Sequence, residues 1–329
     1  MKLFSKPTPS PIALIPLIQN YLTILPFSRG YYFQYRTIAK RLEQFQKIHQ
    51  YTLTTNNITA EIAGKIRIFY EDELQYSQNT IVTNFRRIRA VLNYAQRQGY
   101  LVNFSINEIK IKKEQLYHIH LTEEELYRIY ALPLSPELEK TKDLFLIACF
   151  TGLRYSDLQR LSPANFNEGY IHTKMLKTKK NVTIPIHWIV QEIYKKYNNN
   201  LPPKTCMQNY NARIKAICRH AGITELIKIE YTKGGKYRSF ELPKFQLVTS
   251  HTARRTMAYN MLIHDIPVFR IMNILGISTF EIFYNYTGLA SIENARAIEN
   301  DDFFKKRPQI PVITKSVSTA LVSLPITTN

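Results

Sequence analysis

The sequence predicts a mainly α-helical protein with a small β-sheet, divided into two domains. Of its 329 residues, 45% are hydrophobic, which is enough for two packed cores. The N-terminal third repeats apolar residues every three or four positions, as amphipathic helices do. The second half contains short alternating segments around turn residues, a pattern typical of β-hairpins.

The charge balance indicates a polyanionic partner. Lys and Arg total 44 against 25 Asp and Glu, which gives a formal net charge of +19. Nucleic acid is the commonest such partner, although ribosomal and membrane-surface proteins share this property. The 3 cysteines form neither a disulfide framework nor a CxxC metal site, which fits a reducing cytoplasm. No stretch approaches the ~20 apolar residues that cross a bilayer, so no membrane partner is expected.

The first domain is predicted to be helical and to span residues 12–102, after a flexible stretch of residues 1–11. One helix carries apolar residues at helical spacing, namely Tyr35, Ile38, Leu42 and Phe45. A second helix opens at Ile58 and continues through Ile66, Phe69 and Tyr70. The clearest helix runs from Ser77 to Arg97 and stops at Gly99.

The Ser77–Arg97 helix is predicted to have a buried apolar side and a basic side. The apolar side carries Ile81, Phe85, Ile88, Leu92 and Ala95. The basic side carries Arg86, Arg87, Arg89 and Arg97. A basic helix face is usually only solvated, but in a chain this basic we expect it to contact DNA phosphates.

Residues 103–120 lack periodicity and are predicted to link the first domain to a second one over residues 121–306. Thr122 and Glu125 have the spacing of a capping box, which starts a helix there. An apolar helix from Asp143 to Thr151 is predicted to end at Gly152. Helices resume at Ser250 and continue to about Lys305, and residues 307–329 are predicted to be a loose tail.

Two β-hairpins are predicted within the second domain. The segments Gly169–Leu176 and Val182–Ile186 alternate or are β-branched, and a basic turn separates them: Lys177-Thr178-Lys179-Lys180-Asn181. A further hairpin is predicted around Gly234-Gly235.

The segment Ser250-His251-Thr252-Ala253-Arg254-Arg255-Thr256-Met257 predicts a receptor for phosphate. On a helix, His251 and Arg254 are three residues apart and therefore face the same way. The first turn adds backbone N–H groups and the positive end of the helix dipole. Taken alone, the octapeptide fits a solvated basic helix start better. Three other segments of the chain, described next, favour the phosphate receptor instead.

Three further segments accompany it: Thr151-Gly152-Leu153-Arg154-Tyr155-Ser156-Asp157-Leu158, the hairpin pair Lys177-Thr178, and Leu275-Gly276-Ile277-Ser278-Thr279 with Tyr284-Asn285-Tyr286-Thr287-Gly288. In this order and spacing they resemble the tyrosine recombinase (phage integrase) family, most of all its Bacteroidetes-type integrases with "KT" and "SHTARRT" boxes. The helical N-terminal half resembles the family's SAM-like core-binding domain. The resemblance covers residues 12–305 and implies a helical core-binding domain followed by an α+β catalytic domain.

The resemblance implies a role for each matched residue. Arg154 and Arg254 would clamp the non-bridging oxygens of one scissile phosphate, and His251 would assist proton transfer. Lys177 would protonate the leaving 5′-oxygen, and Tyr286 would attack to form a 3′-phosphotyrosyl link. Neither a metal nor any other cofactor is expected.

Several of these assignments have alternatives. Arg154 follows a helix-ending glycine and could cap carbonyls instead. Lys179 or Lys180 could replace Lys177 as the acid. Lys179, Lys180 and Arg255 are also expected to contact DNA. Ser278-Thr279-Phe280-Glu281 predicts a capping box that puts Tyr284 and Tyr286 on one helix. Two residues span about 200° of a helix, so only one tyrosine can face the phosphate. The resemblance implies Tyr286, because its distance from Ile277 along the chain is the interval usual in the family.

One residue departs from the family pattern. The family usually has His or Trp where this chain has Ile277, and isoleucine cannot donate a hydrogen bond to the phosphate. We therefore consider three functions: site-specific recombination, DNA binding without cleavage on the same fold, and a type IB-like topoisomerase. The expected partner is double-stranded DNA in the cytoplasm, at the nucleoid. The resemblance implies a free monomer that forms a tetramer on paired sites.

Overall fold

The computed structural model describes residues 9–24, 28–115 and 118–287, and only the backbone of 285–287. The predictions for residues 1–8, for the helical continuation from 288 to 305 and for the tail at 307–329 lie outside the described residues. Within Met1–Thr287, which form one compact unit, the described part is mostly helical, with two small antiparallel sheets. The predicted fold class is confirmed.

The N-terminal part consists of helices, as predicted. These are α1 (Leu14–Ile24), α2 (Arg29–His49), α3 (Ala60–Ile68), which continues as a π-helical turn (Phe69–Glu73), and α4 (Gln78–Arg97). A short 3₁₀ turn (Ser105–Glu108) follows. Ser28, Thr59 and Ser77 each cap a helix by accepting a hydrogen bond from a backbone N–H in its first turn.

These helices enclose an apolar core that extends from Leu14 to Ile106. The apolar residues predicted for α2 and α4 are buried in it. A second core extends from Ile119 to Phe283 and belongs to the C-terminal part. The predicted boundaries at 12–102, 103–120 and 121–306 stay a prediction.

The C-terminal part begins with the predicted capping box. Glu125 N–H donates to Thr122 Oγ1, and Thr122 N–H donates to Glu125 Oε2, at the start of α5 (Glu123–Ala131). Helix α6 (Pro136–Thr151) starts seven residues earlier than predicted, because its first turns are polar and show no apolar periodicity. It is followed by α7 (Tyr155–Leu158), α8 (Trp188–Lys196) and α9 (Met207–His220).

Both predicted hairpins are present. Strands β1 (Phe166–Asn167), β2 (Tyr170–Lys174) and β3 (Asn181–Pro185) form an antiparallel sheet in that order. Strands β4 (Leu226–Lys233) and β5 (Lys236–Pro243) pair through Lys233 and Lys236. Gly234 and Gly235 between them have φ values of +57° and +66°, which glycine adopts without strain in such a turn.

The remaining helices are α10 (Lys244–Leu247), α11 (Thr252–Ile263), α12 (Val268–Leu275) and α13 (Phe280–Thr287). Thr279 caps α13 by accepting a hydrogen bond from Ile282 N–H, so the cap lies one residue later than the predicted Ser278–Glu281 box. Among the described residues, no helix has the length and apolar content needed to traverse a membrane.

The tip of the β4–β5 hairpin contacts the N-terminal part. Gly234 N–H donates to the Tyr76 carbonyl at 3.0 Å. Thr232 N–H donates to the Glu114 carboxylate, at 3.0 and 3.2 Å from its two oxygens. The Asn79 amide binds Glu114 at both its backbone N–H, at 2.9 Å, and its carbonyl, at 3.0 Å. Glu114 therefore links α4 and β4 where the two cores meet.

Candidate active site

Three of the sequence segments singled out above meet at Gly152. This residue ends α6 with a φ of +63°. A side-chain Cβ at this position would collide with Leu275 at the end of α12 and would lie 2.8 Å from the Met257 sulfur on α11. Glycine is required here both by its backbone conformation and by this close packing. The contact joins the Gly-Leu-Arg, His-x-x-Arg and Leu-Gly segments.

Arg254 ties the same three segments together by hydrogen bonds. Its side chain is fully buried. Its Nη1 donates to the Gly152 carbonyl at 2.8 Å, and its Nη2 donates to the Leu275 carbonyl. These bonds fix the plane of the guanidinium, which carries five N–H donors in all. The sequence suggested that Arg254 lies on an open helix face. The structure instead buries its side chain and holds it by two hydrogen bonds.

Arg154 lies at the start of α7, beside a carboxylate that sequence reasoning did not assign. Its Nη1 is 4.0 Å from Asp157 Oδ2 and has no hydrogen-bond partner among the described residues. The arginine side chain is 18% exposed, and that of Asp157 is 1% exposed. The alternative role considered for Arg154 was to cap backbone carbonyls. Its Nη1 does not do so, because it donates to no carbonyl among the described residues.

Asp157 also holds the β2–β3 hairpin. Its Oδ1 accepts a hydrogen bond from Leu176 N–H at 2.7 Å. Leu176 directly precedes Lys177, so the carboxylate links the arginine of α7 to the β2–β3 turn. Asp157 could have been found from the sequence, because it is an acidic residue three positions after Arg154 and residues at i and i+3 lie on one face of a helix.

His251 directly precedes α11 and lies among cationic groups. Burial lowers its pKa to about 4, and four neighbouring groups add to the shift: Arg255, Arg254, Arg154 and His118. An imidazole with this pKa is neutral near pH 7 and can accept a proton or a hydrogen bond. The predicted residues Arg154, His251 and Arg254 therefore form one cluster, together with Arg255.

His118 is a member of the cluster that sequence reasoning missed. Its pKa is lowered to about 4 by burial, by Arg255 and by Lys113. It lines a cleft of about 380 Å³, which Glu281 and Tyr284 of α13 also line. A histidine in an aperiodic segment carries no sequence signal of its own, so only the structure reveals it.

Lys177 occupies the exposed part of the β2–β3 turn. Lys179 and Lys180 are exposed as well, and Lys179 has a φ of +57°. Met175 and Thr178 of this turn lie close to Gly276, since a Cβ there would be within 3.7 Å of both side chains, next to the carbonyl that Arg254 binds. The structure thus brings the turn to the arginine cluster, and the choice among the three lysines remains a prediction.

Tyr284 and Tyr286 lie on the same helix, α13, as predicted. Tyr284 is 57% exposed, and the side chain of Tyr286 lies outside the described residues. Ile277 is buried and 5% exposed, so it packs between α12 and α13 as an apolar residue. The assignment of Tyr286 as nucleophile stays a prediction.

The predicted basic face of α4 divides into two parts. Arg86 and Arg97 are exposed, and Arg87 donates to the Gln34 side chain. Arg89 instead donates to the carbonyls of Ile106 and Ile109 at 3.0 and 3.1 Å. Arg89 therefore anchors the segment after α4, and this structural role accounts for it better than a DNA contact does.

Comparison with known families gives two matches. The model described as "Phage integrase family" matches residues 120–291. The model described as "Phage integrase SAM-like domain" matches residues 13–111. A search of curated protein sequences found no match to this chain.

Solved structures share the fold at low identity. A lambda integrase dimer bound to a COC′ core site is 18% identical with a TM-score of 0.60, covering 84% of this chain and 95% of that one. The Tn1549 transposon integrase in complex with transposon right end DNA is 15% identical with a TM-score of 0.61, at 88% and 98% coverage. A lambda integrase tetramer bound to a Holliday junction is 17% identical with a TM-score of 0.55, at 86% and 81% coverage.

Proposed function

The chain belongs to the phage integrase family and is a tyrosine site-specific recombinase, and we propose how its residues carry out the reaction. One observation carries the proposal. Arg254 joins three sequence segments by hydrogen bonds, and it lies next to the cationic groups around His251. Fixed cationic donors that share one site are what a phosphoryl transfer needs.

The arginines supply charge compensation. A phosphodiester attacked by a phenol gains negative charge on its equatorial oxygens, and Arg154 and Arg254 donate hydrogen bonds to them. Guanidinium suits this task better than ammonium because its planar donors match two oxygens at once. The carbonyls of Gly152 and Leu275 hold Arg254 in place, so little reorganisation accompanies the reaction. Because Arg254 is fully buried, DNA binding must displace the side chains that cover it.

The covalent step exchanges one phosphodiester for another. The Tyr286 oxygen bonds to phosphorus, and the bond from phosphorus to the 5′-oxygen breaks. Lys177 gives a proton to that leaving oxygen, and neutral His251 assists removal of the tyrosine proton. The 3′-phosphotyrosyl link keeps the bond energy, so a 5′-hydroxyl can reverse the step and rejoin strands without a nucleotide.

Double-stranded DNA is the substrate, and the assembly is part of the proposal. We propose that the chain is a monomer in solution and a tetramer on paired sites, acting at the nucleoid. Support comes from the lambda integrase likeness, which includes a tetramer on a Holliday junction. Arg86, Arg87 and Arg97 of α4 would contact the DNA backbone, together with Lys179, Lys180 and Arg255.

Strand exchange between two duplexes tests this function. The substrate is a duplex selected from a random-sequence library by binding to the full chain. We expect labelled strands to move between two copies of the selected site, and light scattering to detect four chains per paired complex. Relaxation of supercoiled DNA without exchange would indicate a topoisomerase, and binding without any adduct would indicate a DNA-binding protein.

A further inference from the structure

The hydroxyl of Thr178 is a buried polar atom that the reaction described above does not use. Thr178 follows Lys177 in the β2–β3 turn. Its Oγ1 is buried and makes no hydrogen bond among the described residues. Buried hydroxyl groups almost always have a partner, so one without a partner requires an explanation.

The turn holds Thr178 in a defined place. Leu176 N–H donates to Asp157 Oδ1 at 2.7 Å. Met175 N–H donates to the Lys180 carbonyl, and Lys179 N–H donates to the Met175 carbonyl, both at 2.9 Å. Bonds on both sides of Thr178 therefore restrain the backbone of the turn.

The hydroxyl borders the segment to which Arg254 is tied. A Cβ on Gly276 would lie 3.7 Å from Thr178 Oγ1 and 3.5 Å from Met175 Cγ. Gly276 has a φ of +59° and directly follows Leu275, whose carbonyl accepts the hydrogen bond from Arg254. The Thr178 hydroxyl is thus buried next to the segment that binds the fully buried Arg254, although the residue as a whole is only partly buried.

The residue that follows Gly276 offers no side-chain donor. Ile277 follows Gly276, is 5% exposed and has only carbon in its side chain. A phosphate bound near Arg254 would therefore receive no hydrogen bond from position 277, whereas the Thr178 hydroxyl borders Gly276. A neutral hydroxyl can donate to a phosphate oxygen whatever the protonation state of the neighbouring lysines.

We propose that Thr178 is a further catalytic residue, whose hydroxyl donates a hydrogen bond to a non-bridging oxygen of the scissile phosphate. No proton is transferred in this contact. The hydrogen bond strengthens as charge develops on that oxygen in the transition state, which is the way such donors accelerate phosphoryl transfer. The proposal rests on the proposed recombinase function.

Two substitutions at one position provide the first test. Thr178→Val keeps the shape and removes the hydroxyl, whereas Thr178→Ser keeps the hydroxyl. We measure single-turnover formation of the covalent adduct on a nicked duplex carrying the selected site. Loss of one donor to a developing oxyanion slows the chemical step about 100-fold, so Thr178→Val should be slower by that factor. Thr178→Ser should stay within a few-fold of the wild type.

A matched control lies on the same hairpin. Thr183→Val makes the same chemical change on β3, where Thr183 is exposed and its hydroxyl binds His172. It should leave adduct formation unchanged. Equal slowing by Thr178→Ser and Thr178→Val, with a matching loss of thermal stability, would show a structural role and overturn the proposal.

A modified substrate separates Thr178 from Lys177. Sulfur in place of the bridging 5′-oxygen at the mapped scissile position leaves without a proton, so it should restore the rate of Lys177→Ala. Thr178→Val should stay slow on it, because the non-bridging oxygens are unchanged. If the sulfur substrate restored the cleavage rate of Thr178→Val, this inference alone would be overturned. The same holds if Thr178→Val cleaved both substrates at the wild-type rate. No adduct from the wild type would overturn the proposed function itself.

Discussion

At the scale of single residues, Arg254 shows how much of the site depends on tertiary contacts. The sequence predicted a cationic helix face open to phosphate. The structure instead buries the guanidinium and gives it carbonyl partners at Gly152 and Leu275. Neither carbonyl can be identified from a pattern of side chains, because backbone groups look alike in every sequence. The same is true of the bond between Asp157 and Leu176 N–H.

Ile277 should slow the enzyme without abolishing its activity. The two arginines carry most of the charge compensation, and the buried isoleucine still packs the start of α13. We expect Ile277→His to raise the rate of adduct formation or leave it unchanged, since one added donor contributes at most about 2.7–4 kcal/mol. Single-turnover cleavage by both proteins measures this. A clear decrease in rate would show that packing at position 277 matters more than donation.

His251 should make stability depend on pH. Its pKa is about 4 in the folded chain, below the ordinary value of 6.5, so the unfolded chain binds a proton first as pH falls. The free energy of unfolding should therefore decrease from about pH 6.5 towards pH 4. After allowance for solvent screening, we expect His251 to contribute about 1 kcal/mol.

Urea unfolding of the wild type and of His251→Gln at pH 7.5 and pH 5 measures this contribution. The variant should lose less stability between the two pH values. An equal loss in both proteins would show that His251 titrates normally in the folded chain.

At the scale of elements, regular structure was predictable and junctions were not. Helices α2 and α4 repeat buried residues every three or four positions, and Gly234-Gly235 marks the β4–β5 turn. Helix α6 was predicted too short because its polar first turns carry no such repeat. Contact between the β4–β5 tip and α4 depends on residues far apart in the chain, so no local pattern indicates it.

Glu114 should set how the two cores are held against each other. Its carboxylate accepts from Thr232 N–H, and its backbone binds Asn79. Glu114→Ala removes a charged hydrogen bond, a change that costs about 1.5–3 kcal/mol. We expect weaker DNA binding, a broader distance distribution between fluorophores on α2 and α8, and an unchanged cleavage rate at saturating DNA.

Glu108→Ala is the matched control for this change. Glu108 is exposed in the 3₁₀ turn before the junction, and its loss alters the net charge equally. It should leave both the affinity and the distance distribution unchanged. Equal weakening by both variants would mean that net charge, rather than the junction, is responsible.

At the scale of the whole molecule, the net charge of +19 should make DNA binding strongly salt-dependent. Six to ten phosphate contacts lower the affinity by a factor of roughly 10³–10⁵ between 50 and 200 mM salt.

Arg86→Ala should reduce the salt slope, the change of log affinity with log salt concentration, by about one. Arg89→Ala should leave the slope unchanged and lower stability, because Arg89 binds carbonyls. Fluorescence anisotropy with duplex DNA measures the slope, and a flat response would exclude DNA as the partner.

The central claim is that Tyr286 becomes linked to the DNA 3′-phosphate, and mass spectrometry of the trapped adduct tests it most directly. The full chain is incubated with a nicked duplex carrying the selected site, and the peptide bound to DNA is identified. We predict a phosphotyrosyl peptide modified at Tyr286, which is lost in Tyr286→Phe while DNA affinity stays nearly intact. Tyr284→Phe should still form the adduct. A link at Tyr284, or an adduct that survives in Tyr286→Phe, would contradict the account.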